Sequence, residues 1–168
     1  MRETIMKCVL CENKKELKRK KITMKYKQCG LDNVTLRGVE YFKCNRCGEE
    51  YFGFGDQEKL HALIARALIL KGESLKGREL RFLRTYLGFA GAVFATRLGV
   101  SKETVSRFEN DKQPISKTFD LLVRALVATK LPDRDYDFHD WWLKQEGKNF
   151  KRIELNAEKN GWHLKLAA

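Results

Sequence analysis

A chain of 168 residues, 43% of them hydrophobic, suffices for one ordinary domain or two small ones, and this apolar content excludes a largely disordered protein. The formal net charge of +12 indicates a polyanionic partner, with nucleic acid favoured over an anionic membrane. No apolar run approaches the roughly 20 residues that cross a bilayer, and the N-terminus lacks the apolar segment of a signal peptide. We therefore expect a soluble, cytoplasmic protein that does not bind membranes.

The spacing of apolar and polar residues along the sequence predicts an α+β protein that begins with a small β-rich domain at residues 1–55. Stretches 22–29 and 34–44 alternate polar and apolar side chains, which is typical of strands in a small sheet. A domain this short buries little core, so a bound metal would help to hold it together.

Two Cys-x-x-Cys pairs lie in this domain. In a chain without an export signal, such pairs predict a metal site of four thiolates rather than disulfides. A closed set of four ligands leaves no position for water, so we predict one structural Zn²⁺; an iron–sulfur cluster, a redox dithiol and unliganded buried cysteines are the alternatives. Cys29 is expected to be a small buried residue. The predicted ligands are Cys8, Cys11, Cys44 and Cys47.

A connector helix is predicted at residues 56–72, because apolar residues recur there at helical spacing. We expect its apolar stripe to pack against a neighbouring domain or a second subunit. The stripe consists of Leu60, Leu63, Ile64, Ala67 and Leu68.

Residues 73–130 predict an all-α domain of four helices, near 76–87, 90–98, 102–109 and 116–130. The second and third of these helices form a predicted helix-turn-helix with its turn at Gly99. Ser101 is placed to cap the third helix. Five apolar residues are predicted to hold the two helices together: Phe94, Leu98, Val100, Val105 and Phe108.

The opposite face of the third helix is polar, and in helix-turn-helix proteins this part of the helix enters the major groove of DNA. Arg107 is the strongest candidate for a bidentate contact to guanine, Glu103 could accept from cytosine, and Lys102 suits a phosphate or a base edge. The predicted DNA-binding residues are Ser101, Lys102, Glu103, Ser106 and Arg107. Further candidates for phosphate contacts are Arg84, Arg97, Lys112 and Lys117.

A C-terminal extension follows at residues 131–168, where seven basic residues balance seven acidic ones, so it is not a basic tail. A short helix is predicted at 135–146. Stretches 150–155 and 162–166 alternate around Asn160-Gly161, which predicts a β-hairpin. The aromatic residues of the extension are expected to cover the helical core, or alternatively to form a dimer contact or a partner surface.

The two cysteine pairs, the second followed by Gly48, the connector helix and the stretch FATRLGVSKETVSRFEN together resemble the MqsA family of antitoxins, which join a YgiT-type zinc finger to a Xre-like helix-turn-helix. The resemblance covers about residues 6–130. It implies a homodimer that represses its own operon at a palindromic operator. It also implies that the zinc domain binds and neutralises a toxin, as one half of a type II toxin–antitoxin pair.

The chain departs from the family pattern at two places in the helix-turn-helix. Ala90-Gly91 stands where a capping Ser or Thr and a Gln are usual, which removes a cap and a phosphate contact. Asp111 replaces a Gly often found after the third helix, so Asn110 is expected to take the positive φ.

Two other functions compete with the antitoxin. One is a stand-alone zinc-containing transcription regulator without a toxin. The other is an RNA-binding zinc ribbon, favoured by the basic stretch 14–21 and by Tyr26, Tyr41 and Phe42. An enzyme is least favoured, because the three histidines lie far apart in the sequence and outside any nucleophile motif.

Overall fold

The computed structural model describes residues 7–11, 17–131, 150–159 and 161–167. They form an α+β fold, as predicted, with five helices and one five-stranded sheet in the described part of the chain. The elements are β1 (Lys18–Lys25), a 3-10 turn (Lys27–Cys29), β2 (Val34–Lys43), β3 (Glu50–Gly53), α1 (Gln57–Ile69), α2 (Gly77–Tyr86), α3 (Gly91–Arg97), α4 (Lys102–Glu109), α5 (Lys117–Lys130), β4 (Arg152–Glu158) and β5 (Gly161–Ala167).

The helices begin and end within three residues of their predicted bounds, and three of the five starts carry a side-chain cap. Asp56 caps α1 by accepting from the Lys59 amide, 2.9 Å away, and Ser116 caps α5 in the same way. The predicted strand 22–29 instead runs from 18 to 25, since the chain turns at Tyr26 into the 3-10 helix. The helix predicted at 135–146 lies outside the described residues.

The sheet joins strands from the two ends of the chain. Its order is β1-β2-β4-β5, and β3 pairs with the C-terminal part of β2. Strand β4 runs parallel to β2, with Val34 opposite Ile153 and Arg37 opposite Asn156. The predicted C-terminal hairpin therefore exists, but it completes the N-terminal sheet instead of forming a separate extension.

One hydrophobic core connects the sheet to the helices. Leu36, Val39, Ile153 and Leu155 on the inner face of the sheet are fully buried, and α1 packs against them. The apolar stripe of α1 is buried as predicted, except that Leu63 is half-buried. The same core continues through α2, α4 and α5. A second, smaller cluster contains Cys8, Leu17 and Cys44, with Cys11, Phe42 and Tyr51 packed against it.

Candidate metal centre and candidate nucleic-acid interface

The four paired cysteines converge on one point. Their Sγ atoms all lie within 4.8 Å of one another. The Cys8 and Cys47 sulfurs are 3.5 Å apart, and those of Cys11 and Cys44 are 3.6 Å apart. A tetrahedral metal with metal–sulfur bonds of about 2.3 Å requires sulfurs about 3.8 Å apart. The donor set and its spacing therefore fit one four-coordinate metal ion.

Tight backbone turns present these sulfurs. Cys44 follows β2 directly, its amide donates to the carbonyl of Glu49, and its carbonyl accepts from the amide of Gly48. Gly48 has φ of 79°, a left-handed conformation that glycine adopts without strain. On the other pair, the Tyr51 hydroxyl lies 3.3 Å from the Cys8 Sγ and accepts from the Val9 amide. Strands β2 and β3 thus position ligands from both pairs.

Hydrogen bonds favour thiolates at two of these positions. The backbone amides of Cys47 and Arg46 lower the pKa of Cys44 to about 6, and the Arg46 amide lies 3.4 Å from its sulfur. The Tyr51 hydroxyl is the first cause of a lowered pKa at Cys8. At Cys47 a backbone hydrogen bond from Glu49 lowers the pKa, but desolvation and hydrogen bonds with the other three thiols outweigh it and raise the pKa to about 12. The thiolate, the form of cysteine that binds metal, is therefore favoured at Cys44 and Cys8 and not at Cys47.

The fifth cysteine lies apart from this cluster. Cys29 is half-buried against the main core, and its Sγ donates to the carbonyl of Tyr26 at 3.0 Å. Burial raises the pKa of its thiol, which disfavours the thiolate. The prediction of a small buried residue is therefore met in part, since Cys29 is not fully buried.

Helices α3 and α4 cross at a tight turn in which Gly99 has φ of 67°. Phe94 and Ala95 on α3 are buried, as are Val105 and Phe108 on α4, whereas Leu98 and Val100 are half-buried. The Ser101 hydroxyl caps α4 by accepting from the Thr104 amide at 3.1 Å. Ala90 begins α3 without a side-chain cap, as the sequence indicates.

The polar face of α4 points to solvent. All five predicted DNA-binding residues are exposed, while Val105 and Phe108 face the core and Thr104 is half-buried. These five are Ser101, Lys102, Glu103, Ser106 and Arg107. The structure thus brings them together on one open surface at and after the N-terminus of α4, and DNA contact itself stays a prediction.

Two arginines of α2 clamp the C-terminal end of α4. Arg81 and Arg84 both bind the carboxylate of Glu109, which is 8% exposed, with N–O distances of 3.1 and 2.6 Å. Arg84 also donates to the carbonyl of Phe89. The Arg84 side chain is only 15% exposed and its guanidinium is hydrogen-bonded inside the protein, which disfavours a phosphate contact, and that contact stays a prediction. Glu109 is not among the residues predicted from the sequence. Its position directly after the apolar residue Phe108 is the signal that could have indicated a buried carboxylate with a basic partner.

The junction after α4 differs from its prediction. Asp111 has φ of 54°, whereas Asn110 has φ of −107°. The Asp111 side chain accepts from the Gly77 amide at 2.8 Å, which satisfies a free N–H group at the start of α2. This hydrogen bond, together with the tolerance of Asp for the left-handed region, explains why Asp111 takes the positive φ.

Of the three aromatic residues that favoured RNA binding, two are buried and the third is half-buried. Tyr26 and Tyr41 are buried, at 4% and 8% exposure, and Phe42 packs against the cysteine cluster. The Tyr26 hydroxyl is hydrogen-bonded to His61 Nε2 at 3.0 Å. The RNA-binding hypothesis therefore keeps only Phe42, which is half-buried, as aromatic support, together with the exposed basic side chains of β1.

No protein-family model, curated protein or solved structure matches this chain. In the part of the chain that the structure describes, no helix is both long and apolar enough to span a membrane.

Proposed function

We propose that the protein is a zinc-containing transcriptional repressor that binds a palindromic DNA operator through α4 as a homodimer. The observation that carries the proposal is the exposed polar face of α4, capped by Ser101 and held by buried Val105 and Phe108. Helix-turn-helix proteins place such a helix N-terminus in the major groove. The basic charge of the chain supports an anionic partner.

The DNA-binding proposal is tested by selecting bound sequences from a randomised duplex pool, followed by affinity measurements on the selected site. We expect two inverted half-sites about one helical turn apart. Arg107→Ala should weaken specific binding by about 1–3 kcal/mol and relax the base preference at one position of each half-site. Arg78→Ala, which changes an exposed arginine of α2, is the control. Selection of no sequence, or equal affinities of both variants, would contradict the proposal.

Zinc is the proposed ion at the cysteine cluster, where Cys8, Cys11, Cys44 and Cys47 would hold it. A closed set of four sulfurs suits a structural ion that cross-links the two cysteine turns. Elemental analysis of the purified chain should find one zinc ion per chain, and none in a Cys44→Ser variant. Iron together with inorganic sulfide would instead identify a cluster.

The antitoxin role rests on the resemblance to the MqsA family. Because β4 pairs with β2, the whole chain is the appropriate bait, and a fragment limited to the N-terminal residues would lack a neighbouring strand. Capture from the native cell should recover one small protein encoded beside this gene, in a fixed ratio. Recovery of no such protein, from a chain that still binds its operator, would leave a stand-alone regulator.

A further inference from the structure

The outer face of the sheet, opposite the core, carries a row of residues that spans four strands. Lys25 on β1 pairs with Thr35 on β2, Thr35 with Glu154 on β4, and Glu154 with Lys165 on β5. Neighbouring strands lie about 4.8 Å apart, so the Cα atoms of the two lysines, three strand spacings apart, are separated by about 14 Å across the sheet. Both lysines are exposed. Only the tertiary structure creates this row, because it joins residues from both ends of the chain.

Two arginines flank the centre of this row and share one carboxylate. Arg37 binds Glu154 through two hydrogen bonds of 3.0 and 3.1 Å, and Arg152 lies 3.5 Å from the same carboxylate. Glu154 is 6% exposed, whereas the side chains of Arg37 and Arg152 are 51% and 57% exposed. The carboxylate thus holds two guanidinium groups in place and offsets only one of their charges. We call Lys25, Arg37, Arg152 and Lys165 the sheet-face cations.

The chemistry of this surface suits phosphate groups better than bases. Arginines and lysines are the main side chains that bind nucleic-acid phosphates, and a guanidinium held by a carboxylate loses less entropy on binding. Binding of single strands also needs exposed aromatic side chains for stacking. In the described strands, Tyr41 and Trp162 are buried and Phe42 packs against the cysteine cluster. Phe52 on β3 is 40% exposed, but its register partner is Tyr41, on the face of the sheet opposite the sheet-face cations.

We infer that the sheet-face cations form a second DNA-binding surface, which contacts the phosphodiester backbone of duplex DNA without reading its sequence. The spacing of about 14 Å between Lys25 and Lys165 is close to the width of the major groove, about 12 Å, which separates the two phosphate rows. The inference goes beyond the proposed function, because it uses none of the residues of α4.

The position of this surface leaves it open while α4 is occupied. Helix α1 packs on the inner face of the sheet and also contacts α2 and α5, whereas α4 packs on α2 and α3. Helix α1 therefore lies between the sheet and the helices that carry α4. A chain bound to its operator through α4 can hold a second segment of duplex DNA on the sheet.

The test uses the full chain with Lys102→Ala and Arg107→Ala, so that α4 contributes little. The probe is a fluorescent 30-base-pair duplex of mixed sequence, and anisotropy gives its affinity at several salt concentrations. Lys25→Gln with Lys165→Gln should weaken binding about tenfold or more at low salt, and should reduce the slope of log affinity against log salt by roughly two. Lys59→Gln with Lys130→Gln, which removes the same charge elsewhere, should change the affinity less than twofold.

A second variant separates the arginines from net charge. Arg37→Gln with Glu154→Gln leaves the net charge unchanged and should still weaken binding several-fold; thermal unfolding checks that it folds. Equal affinities of the lysine variant and its control would overturn the inference. So would tighter binding of single-stranded RNA of the same length, or of vesicles with anionic lipid, that depends on Lys25 and Lys165.

Discussion

Arg124 is a buried cation on α5 that ties the helical core to the end of α1. It is 1% exposed and pairs with Asp120 at 3.0 Å. Carbonyl groups at the end of a helix have no partner inside the helix, and Arg124 donates to two of them in α1 and to two more in the loop that follows. The carbonyl oxygens that accept from it belong to Leu68, Ile69, Lys71 and Glu73.

Arg124→Ala should lower the free energy of unfolding by about 3–5 kcal/mol, because it leaves Asp120 charged and buried without this partner. Urea unfolding followed by circular dichroism measures the change. The exposed Arg97→Ala, on α3, is the control and should stay within about 0.5 kcal/mol of the parent. A loss below about 1 kcal/mol for Arg124→Ala would show that the ion pair between Arg124 and Asp120 contributes little to the stability of the fold.

Contact between α2 and α4 depends on the absence of a side chain at Gly77. A Cβ atom there would lie 2.5 Å from the Phe108 carbonyl oxygen and 2.7 Å from that of Glu109. The close approach also brings the Gly77 amide to Asp111. Gly91 occupies the same position at the start of α3, where a Cβ would meet no atom within 4 Å. The orientation of α4 therefore depends on one glycine of α2.

Gly77→Ala should lower stability by about 1–3 kcal/mol, because backbone atoms of α4 must move to admit the methyl group. The matched Gly91→Ala should be neutral or raise stability by at most about 1 kcal/mol, since alanine favours helices. Thermal unfolding of both variants under one buffer condition provides the comparison. Equal losses of stability in the two variants would mean that the backbone of α4 moves away from residue 77 without a cost in free energy.

At the scale of the whole molecule, the cysteine cluster and the main core are separate. The metal-site cysteines pack with Leu17, Phe42 and Tyr51, while the main core consists of residues from the inner sheet face and the helices. Trp162 belongs to the main core and donates to the Phe54 carbonyl at 2.9 Å. Loss of the proposed zinc ion should therefore act first on the cysteine turns.

Removal of the proposed zinc ion with a strong chelator and a reductant should leave the helical circular dichroism signal and the environment of Trp162 largely unchanged. The reason is that none of the four cysteine ligands belongs to the main core. Hydrogen exchange should increase around residues 7–11 and 44–50. The Cys44→Ser variant, treated in the same way, controls for effects of the chelator alone. Loss of the helical signal on chelation would show that the metal holds the whole fold.

The sequence by itself determined the features that depend on neighbours a few residues apart. Helical periodicity and capping signals predicted the five helices, and Cys-x-x-Cys spacing predicted the cluster of four cysteines that the structure brings together. The cap by Ser101 joins residues only three positions apart. Such local interactions leave a pattern in the chain.

Only the tertiary structure decided how distant parts of the chain meet. The pairing of β4 with β2 places Arg37 beside Glu154, residues 117 positions apart, and so creates the sheet-face cations. In the same way, the packing of α2 against α4 pairs Arg84 with Glu109 and leaves Asp111 with the positive φ. Strand pairing and buried ion pairs follow from which surfaces fit one another in three dimensions, and local periodicity contains no record of that choice.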